Sequence, residues 1–142
     1  MSPKIPKRNQ SPFGWWLASY IQRFEYKDAR PKSPSSRCLA WVNTIIVKAK
    51  NRELAYRKAI AIGKQNSALK WSRYGTPPGR LGRWKFEGLT SLLPIYEELV
   101  DGSEVAWDEH RGTTLQAIQK RVKAKHELET FSDKEPRERA AV

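Results

Sequence analysis

The chain has 142 residues and a formal net charge of +12. That length supports one domain with ends to spare, and six Trp, five Tyr and four Phe supply the bulk for a modest core. No apolar run approaches the roughly 20 residues that span a bilayer, and the Lys/Pro-rich start from Met1 to Gln10 lacks the apolar segment of a secretory signal. The single Cys38 excludes an intramolecular disulfide and a Cys-rich zinc site; between Arg37 and Leu39 it reads as a half-buried structural thiol. The expectation is a cytoplasmic protein with no membrane contact, no metal and no cofactor.

Residues 1–12 are a Lys/Pro/Ser stretch and read as a disordered basic tail. From Phe13 to Tyr26 the pattern alternates, with Trp16, Ala18, Tyr20, Phe24 and Tyr26 on one face and Trp15, Leu17 and Ile21 on the other. That period of two predicts a strand whose aromatic face points inward. Lys27–Arg37 holds two prolines and three serines and reads as a loop. Leu39–Lys50 is the second predicted strand, with Leu39, Trp41, Asn43, Ile45, Val47 and Ala49 on one face and Val42, Thr44 and Ile46 on the other. Two long strands joined by a loop suggest an antiparallel pair.

A helix follows over Asn51–Gly63. Asn51 is a good N-cap, because its side-chain oxygen can accept a backbone N–H of the first turn. Glu53 suits the positive end of the helix dipole, Ala55, Ala59 and Ile62 head an apolar face, and Gly63 can stop the helix in a left-handed conformation. Gln65–Gly82 reads as a long connection around Gly75-Thr76-Pro77-Pro78-Gly79. Arg83–Leu89 is the third predicted strand. Ser91–Leu99 is apolar, but Pro94 argues against a central strand there. A turn at Asp101-Gly102 leads to a short fourth strand, Glu104–Trp107. Thr113 and Gln116 fit a capping box that opens a C-terminal helix over 113–131, with a narrow apolar stripe of Leu115, Ile118 and Val122, before a disordered tail over 132–142. The expectation is an α+β domain over 13–112: a small, mainly antiparallel four-stranded sheet with one packed helix, then a C-terminal helix, in the order ββαββα.

Four blocks carry a family resemblance. A Trp-led strand opens at Trp15-Trp16-Leu17-Ala18. Val47-Lys48-Ala49-Lys50-Asn51-Arg52-Glu53-Leu54-Ala55-Tyr56-Arg57-Lys58-Ala59 joins an apolar strand to a capped helix. Phe86-Glu87-Gly88-Leu89 follows, and Glu97-Glu98-Leu99-Val100-Asp101-Gly102-Ser103-Glu104 closes the series. In this order, over roughly residues 13–107, the chain resembles the bacterial domain-of-unknown-function family 4288. The resemblance implies a small antiparallel sheet against one helix. It implies no established activity, and no catalytic residue carries over from it.

Charge is unevenly spread. Residues 48–85 hold eleven Lys/Arg and one acid, Glu53, for +10; residues 86–112 hold seven acids and one base, Arg111, for −6. A polarised chain of this kind can attract polyanions, bind itself or a bipolar protein, or keep a solvated surface. Within the basic stretch Lys64, Lys70, Arg73, Arg80, Arg83 and Lys85 interleave with Trp71, Tyr74 and Trp84. Cations of this spacing can neutralise phosphates, and exposed aromatics can stack on bases. Of these, Lys64, Lys70, Trp71, Arg73, Tyr74, Arg80, Arg83 and Lys85 are the candidate nucleic-acid contacts; in the plainer reading Trp84 is core and Trp71 anchors a loop.

Signals for an enzyme are poor. Asp108, Glu109 and His110 fit a solvated turn better than an acid/base group, His110 and His126 are too few for a metal site, and the glycine-rich stretch lacks the Gly-Lys-Ser/Thr ending of a phosphate loop. The function favoured is therefore a non-enzymatic protein-binding module whose partner is another protein, of the bacterial defence, immunity or toxin–antitoxin kind, with homo-oligomerisation open. Nucleic-acid binding through residues 64–85 is the alternative. An inhibitor of a nuclease would present an acidic surface, which here only residues 86–112 could supply.

Overall fold

The computed structural model describes residues 4–30, 33–67 and 70–133, and the chain divides into two compact units between Ala106 and Trp107. The first unit holds β1 (Trp15–Tyr26), β2 (Leu39–Lys48), α1 (Arg52–Asn66), β3 (Ser72–Tyr74) and β4 (Arg80–Pro94). The strands form one antiparallel sheet in the order β2-β1-β4-β3. With α2 (Leu115–Arg121) in the second unit, the element order is the expected ββαββα.

The alternation in β1 sets which side of the sheet is covered. Trp16, Ala18, Tyr20, Gln22 and Phe24 are buried, while the residues between them are half-buried. β2 pairs with β1 so that Val47 lies beside Trp16 and Ile45 beside Ala18, extending the same face. On that face α1 sets Ala55 and Ala59 against Trp16, Ala18 and Val47, with Ile45, Ala49, Ile62, Leu89 and Leu92 around them. Small side chains on both layers let helix and sheet approach closely and fill the space to interior density. The Trp16 indole donates from Nε1 to the Ala49 carbonyl at 3.0 Å, so its burial leaves no polar atom unsatisfied.

The ends of α1 divide into one expectation met and one corrected. Asn51 caps the start, its Oδ1 accepting from the Leu54 amide at 2.9 Å. Gly63 does not stop the helix, which runs on to Asn66 and is closed by Ser67. Gly63 is buried inside it, and a Cβ there would lie 2.4 Å from the Phe86 ring. The glycine is needed for close approach to β4 and not for a turn. Beyond it, the Ser67 hydroxyl donates to Gln22 Oε1 at 3.0 Å and Asn66 Nδ2 to the Tyr20 hydroxyl at 3.2 Å, fixing the helix end on β1.

The expected long connection Gln65–Gly82 contains a strand and the start of another. β3 pairs with the first residues of β4, Ser72 beside Gly82 and Tyr74 beside Arg80, around a turn that uses positive φ at Gly75 and Gly79. β4 then runs past the predicted end at Leu89 to Pro94, paired with β1 along its length and with β3 over Arg80–Gly82 only. Pro94 is tolerated because it faces Trp16 at a position whose N–H would point away from β1; the next amide, that of Ile95, still donates to the Trp15 carbonyl at 2.9 Å. Two residues of β4, Glu87 and Thr90, have no partner in β1: Gln22 faces Phe86 while Ile21 faces Gly88, and Tyr20 faces Leu89 while Ser19 faces Ser91. These are β-bulges, which bend and twist the strand locally.

The fourth strand expected at Glu104–Trp107 is absent; residues 103–111 carry no regular structure. The turn at Asp101-Gly102 does form, with Ser103 N–H donating to the Val100 carbonyl at 3.0 Å. The C-terminal helix is capped by Thr114 and not Thr113, through Thr114 Oγ1 accepting from the Ala117 amide at 3.1 Å. It ends at Arg121, and two single 3-10 turns, Lys125–Glu127 and Glu129–Phe131, take up the rest of the predicted span. In the expected N-terminal tail, Lys7–Asn9 form a 3-10 turn, and the Ser11 hydroxyl donates to the Ile95 carbonyl at 2.7 Å. Most of the predicted tail at 132–142 lies outside the described residues.

Candidate functional site

The eight candidate nucleic-acid contacts do not form one surface. Lys64 is exposed in the last turn of α1, on the helix side of the sheet. Tyr74 and Arg80 pair across the β3–β4 hairpin and share the side of Phe24 and Tyr26. Arg83 and Lys85 face Glu25 and Arg23 across β1, so they stand on the opposite side, with Trp71 beneath Arg83. Lys70 is exposed before β3.

The arginines in this set are engaged within the fold. Arg73 Nη1 donates to the carbonyls of Pro78 at 3.1 Å and Gly79 at 2.8 Å, closing the hairpin turn. Arg80 grips Asp28 with two bonds, Nη2 to Oδ1 at 2.7 Å and Nε to Oδ2 at 3.3 Å, and its guanidinium lies 3.8 Å from the centre of the Tyr26 ring. The hydrogen bond from Arg80 holds the Asp28 carboxyl below its ordinary range. Arg83 donates from Nε to Glu25 Oε1 at 2.6 Å and lies 4.1 Å over Trp71. Glu25 also accepts from Arg23 Nη1 at 3.1 Å, and Arg23 Nε reaches Glu87 at 2.9 Å. Burial alone would push the Glu25 carboxyl up, but the hydrogen bonds and charges of Arg83 and Arg23 outweigh it and hold it below its usual range.

The aromatic faces are engaged too. Phe24 is a hub, with ring centres of Tyr26 at 4.9 Å, Tyr74 at 5.0 Å and Trp84 at 5.2 Å in edge-to-face contact. Gly82 makes room for it: a Cβ there would lie 2.5 Å from the Phe24 ring. Trp84 in turn packs on Trp41 at 4.6 Å, leaving Trp41 53 % exposed. Of the two candidate stacking residues, Trp71 has one face covered by Arg83, and Tyr74 meets Phe24 edge to face while remaining exposed.

A different surface stands open. On the side of the sheet away from α1, the registers bring together Leu17, Ile46 and Leu93, then Ser19, Thr44 and Ser91, then Ile21 and Val42. Val42 is 58 %, Ile46 47 % and Leu93 46 % exposed. Ser19 and Thr44 share a hydroxyl–hydroxyl bond of 2.9 Å at the centre. The strip is bounded at one end by Trp15 under the Lys48 ammonium, 5.4 Å from the ring centre, and at the other by the Arg23–Glu25–Arg83–Glu87 network. The alternation in β1 and β2 already placed Leu17, Ile21, Val42 and Ile46 opposite the core face. Leu93 is not legible in the same way, because Pro94 argues against a strand where β4 continues to Pro94.

The remaining chemistry-bearing residues are dispersed. Cys38 is half-buried, its thiol 3.8 Å from the Ser36 carbonyl. Glu109 is paired with Arg111, and Asp108, His110 and His126 are exposed. Among the described residues no group of three or more His, Cys, Asp or Glu could hold a metal ion, and no helix is long and apolar enough to cross a membrane. One family model, described as a domain of unknown function (DUF4288), matches residues 15–107, which take in the whole sheet and α1. No curated protein and no solved structure matches.

Proposed function

The chain belongs to the DUF4288 family, and we propose that it is a non-enzymatic protein-binding module whose contact surface is the open face of the sheet. The observation that supports this reading is the apolar strip of Leu17, Ile21, Val42, Ile46 and Leu93, bounded by charged and aromatic side chains. Exposed apolar side chains inside a charged rim are the usual anatomy of a protein interface. The partner is another protein whose matching patch is apolar on either side of a group that hydrogen-bonds the central Ser19–Thr44 hydroxyls.

The test is affinity capture from the native cell with the wild-type chain and with a Val42→Glu/Leu93→Glu variant whose folding is verified by circular dichroism. A protein recovered in stoichiometric amount by the wild type and lost with the variant supports the reading. No stoichiometric protein, or capture that the variant leaves intact, overturns it.

Nucleic-acid contact is the second reading, and it rests on the +10 of residues 48–85. It requires affinity for a short single strand to fall steeply with salt, since each phosphate contact releases a counterion. Lys64, Lys70 and Lys85 are exposed, so their joint replacement by Ala should weaken binding to all sequences alike. Salt-independent binding, or none at low ionic strength, rejects it.

A further inference from the structure

We propose that β2 is a self-association edge: a second copy of this chain pairs antiparallel along it, with Thr44 on the two-fold axis. The inference differs from the protein-binding reading in using the backbone edge of β2, while sharing Val42 and Ile46 of the open face with it.

The order β2-β1-β4-β3 leaves two edges, and they are built differently. β3 has three residues, set among Lys70, Arg73 and Arg80, and covers only Arg80–Gly82, so beyond them the outer edge is β4 itself, broken by the bulges at Glu87 and Thr90 and ended by Pro94; neither stretch offers much to a further strand. β2 has ten residues, Leu39–Lys48, with no proline, no acid and one cation at its very end. Along it, alternate N–H and C=O groups point away from β1. Among the described residues these meet no other backbone group, and Lys58 donates to the Lys48 carbonyl at the end of the run at 3.0 Å. Sheets normally blunt an edge of this length by shortness, charge, proline, a bulge or a cover; β2 carries none of these within its run.

The side chains of β2 match a second β2. Centred on Thr44, an antiparallel copy sets Val42 beside Ile46 of the second copy on the open face, and the reverse. On the helix face it sets Trp41 beside Val47 and Asn43 beside Ile45. Leu39, Trp41, Val42 and Ile46 are exposed in the single chain, and cross-strand pairs of this kind stabilise a sheet. The charges also agree. Lys48 falls opposite Ala40 of the second copy, so the two lysines sit at opposite ends of the pairing and never meet. Thr44 meets itself, a favourable hydroxyl pair. The pairing is self-complementary, as a two-fold contact requires: Val42 meets Ile46 of the second copy and Ile46 meets its Val42, and Asn43 and Ile45 exchange places in the same way.

Light scattering on the full chain over a range of concentrations is the primary test. The wild type should reach twice its chain mass of 16.4 kDa, and Thr44→Lys, which sets two lysines face to face on the axis, should return it to once that mass with an unchanged circular dichroism spectrum. Independently, Thr44→Cys in a Cys38→Ser background should form a disulfide-linked dimer on oxidation, because facing Cα atoms of an antiparallel pair lie within disulfide reach. Ser72→Cys on β3 in the same background should not. Where the mass measurement on Thr44→Lys is compromised by misfolding, the cross-link at position 44 decides. A wild type that stays monomeric at every concentration overturns the proposal, as does a dimer that cross-links at position 72 and not at 44. A monomer that still captures its partner through Val42 and Leu93 would leave the protein-binding reading standing alone; a dimer with no partner would do the reverse.

Discussion

On the helix side of β1, Trp16 and Ala18 are closed off by Ala55 and Ala59; on the other side of the same strand, Leu17 and Ile21 stand among Val42, Ile46 and Leu93, which remain about half exposed. Both faces carry large apolar side chains, the open one on either side of the Ser19, Thr44 and Ser91 hydroxyls. What differs is the surface offered to them: α1 presents Ala55, Ala59 and Gly63 in a row, small enough for Trp16 and Phe86 to enter. Covering a sheet face therefore depends on shape in the facing layer as much as on hydrophobicity in the sheet.

That contrast can be broken first at its most buried point. Trp16→Ala should lose about 3–5 kcal/mol of stability by chemical denaturation, because Trp16 is 2 % exposed and its indole bond to Ala49 goes with it. Gly63→Val should cost about 1–3 kcal/mol through overpacking against Phe86, and Gly63→Ala less than Gly63→Val if the ring can shift. Asn51→Ala removes the cap of α1 and should cost about 1 kcal/mol. On the open face, Val42→Thr should stay within about 0.5 kcal/mol in dilute protein. If it costs as much as a core substitution, the open face is not open.

Acid sharpens the comparison at the polar end of the open face. The folded Glu25 carboxyl titrates below its unfolded value. Its contribution is therefore fully present above the unfolded carboxylate pKa of about 4.3 and lost as pH falls through the lower folded value. The gap in melting temperature between wild type and Glu25→Gln should be widest near neutral pH and close in acid. A gap that widens as pH falls would contradict the Arg23–Glu25–Arg83 network.

The parts legible in the sequence were those decided by neighbours along the chain. Alternation in Trp15–Tyr26 and Leu39–Lys48 assigned both faces of the sheet, and Asn51 announced its helix. Gly63 misled because a glycine near a helix end usually relieves backbone strain, whereas here it relieves a collision with Phe86, 23 positions away in the chain. Pro94 misled because a proline bars a strand position whose N–H must bond a neighbour, but not one whose N–H points away. The hairpin at residues 72–82 was hidden by the Gly/Pro turn at its centre, which reads as a loop whatever flanks it. Among the candidate site residues, the basic character was legible; that Arg80 binds Asp28 and Arg83 binds Glu25 was not, since strand register alone brings residues 52 and 58 positions apart together. Leu93 on the open face was hidden with Pro94, beyond the predicted end of the strand.

The two bulges in β4 have a consequence for how this chain can change length. A bulge sets two residues of one strand against one of its partner, so the extra residue is absorbed where it stands. Leu92, Leu89, Phe86 and Trp84 therefore all keep the side of Ala18, Tyr20, Gln22 and Phe24, although three residues and not two separate the first from the second and the second from the third. Losing Glu87 or Thr90, singly or together, would straighten β4 and leave Trp84 and Phe86 on the side of α1. An added residue with no bulge to take it up would turn over every side chain beyond it. At these two points the strand can shorten without exchanging its faces.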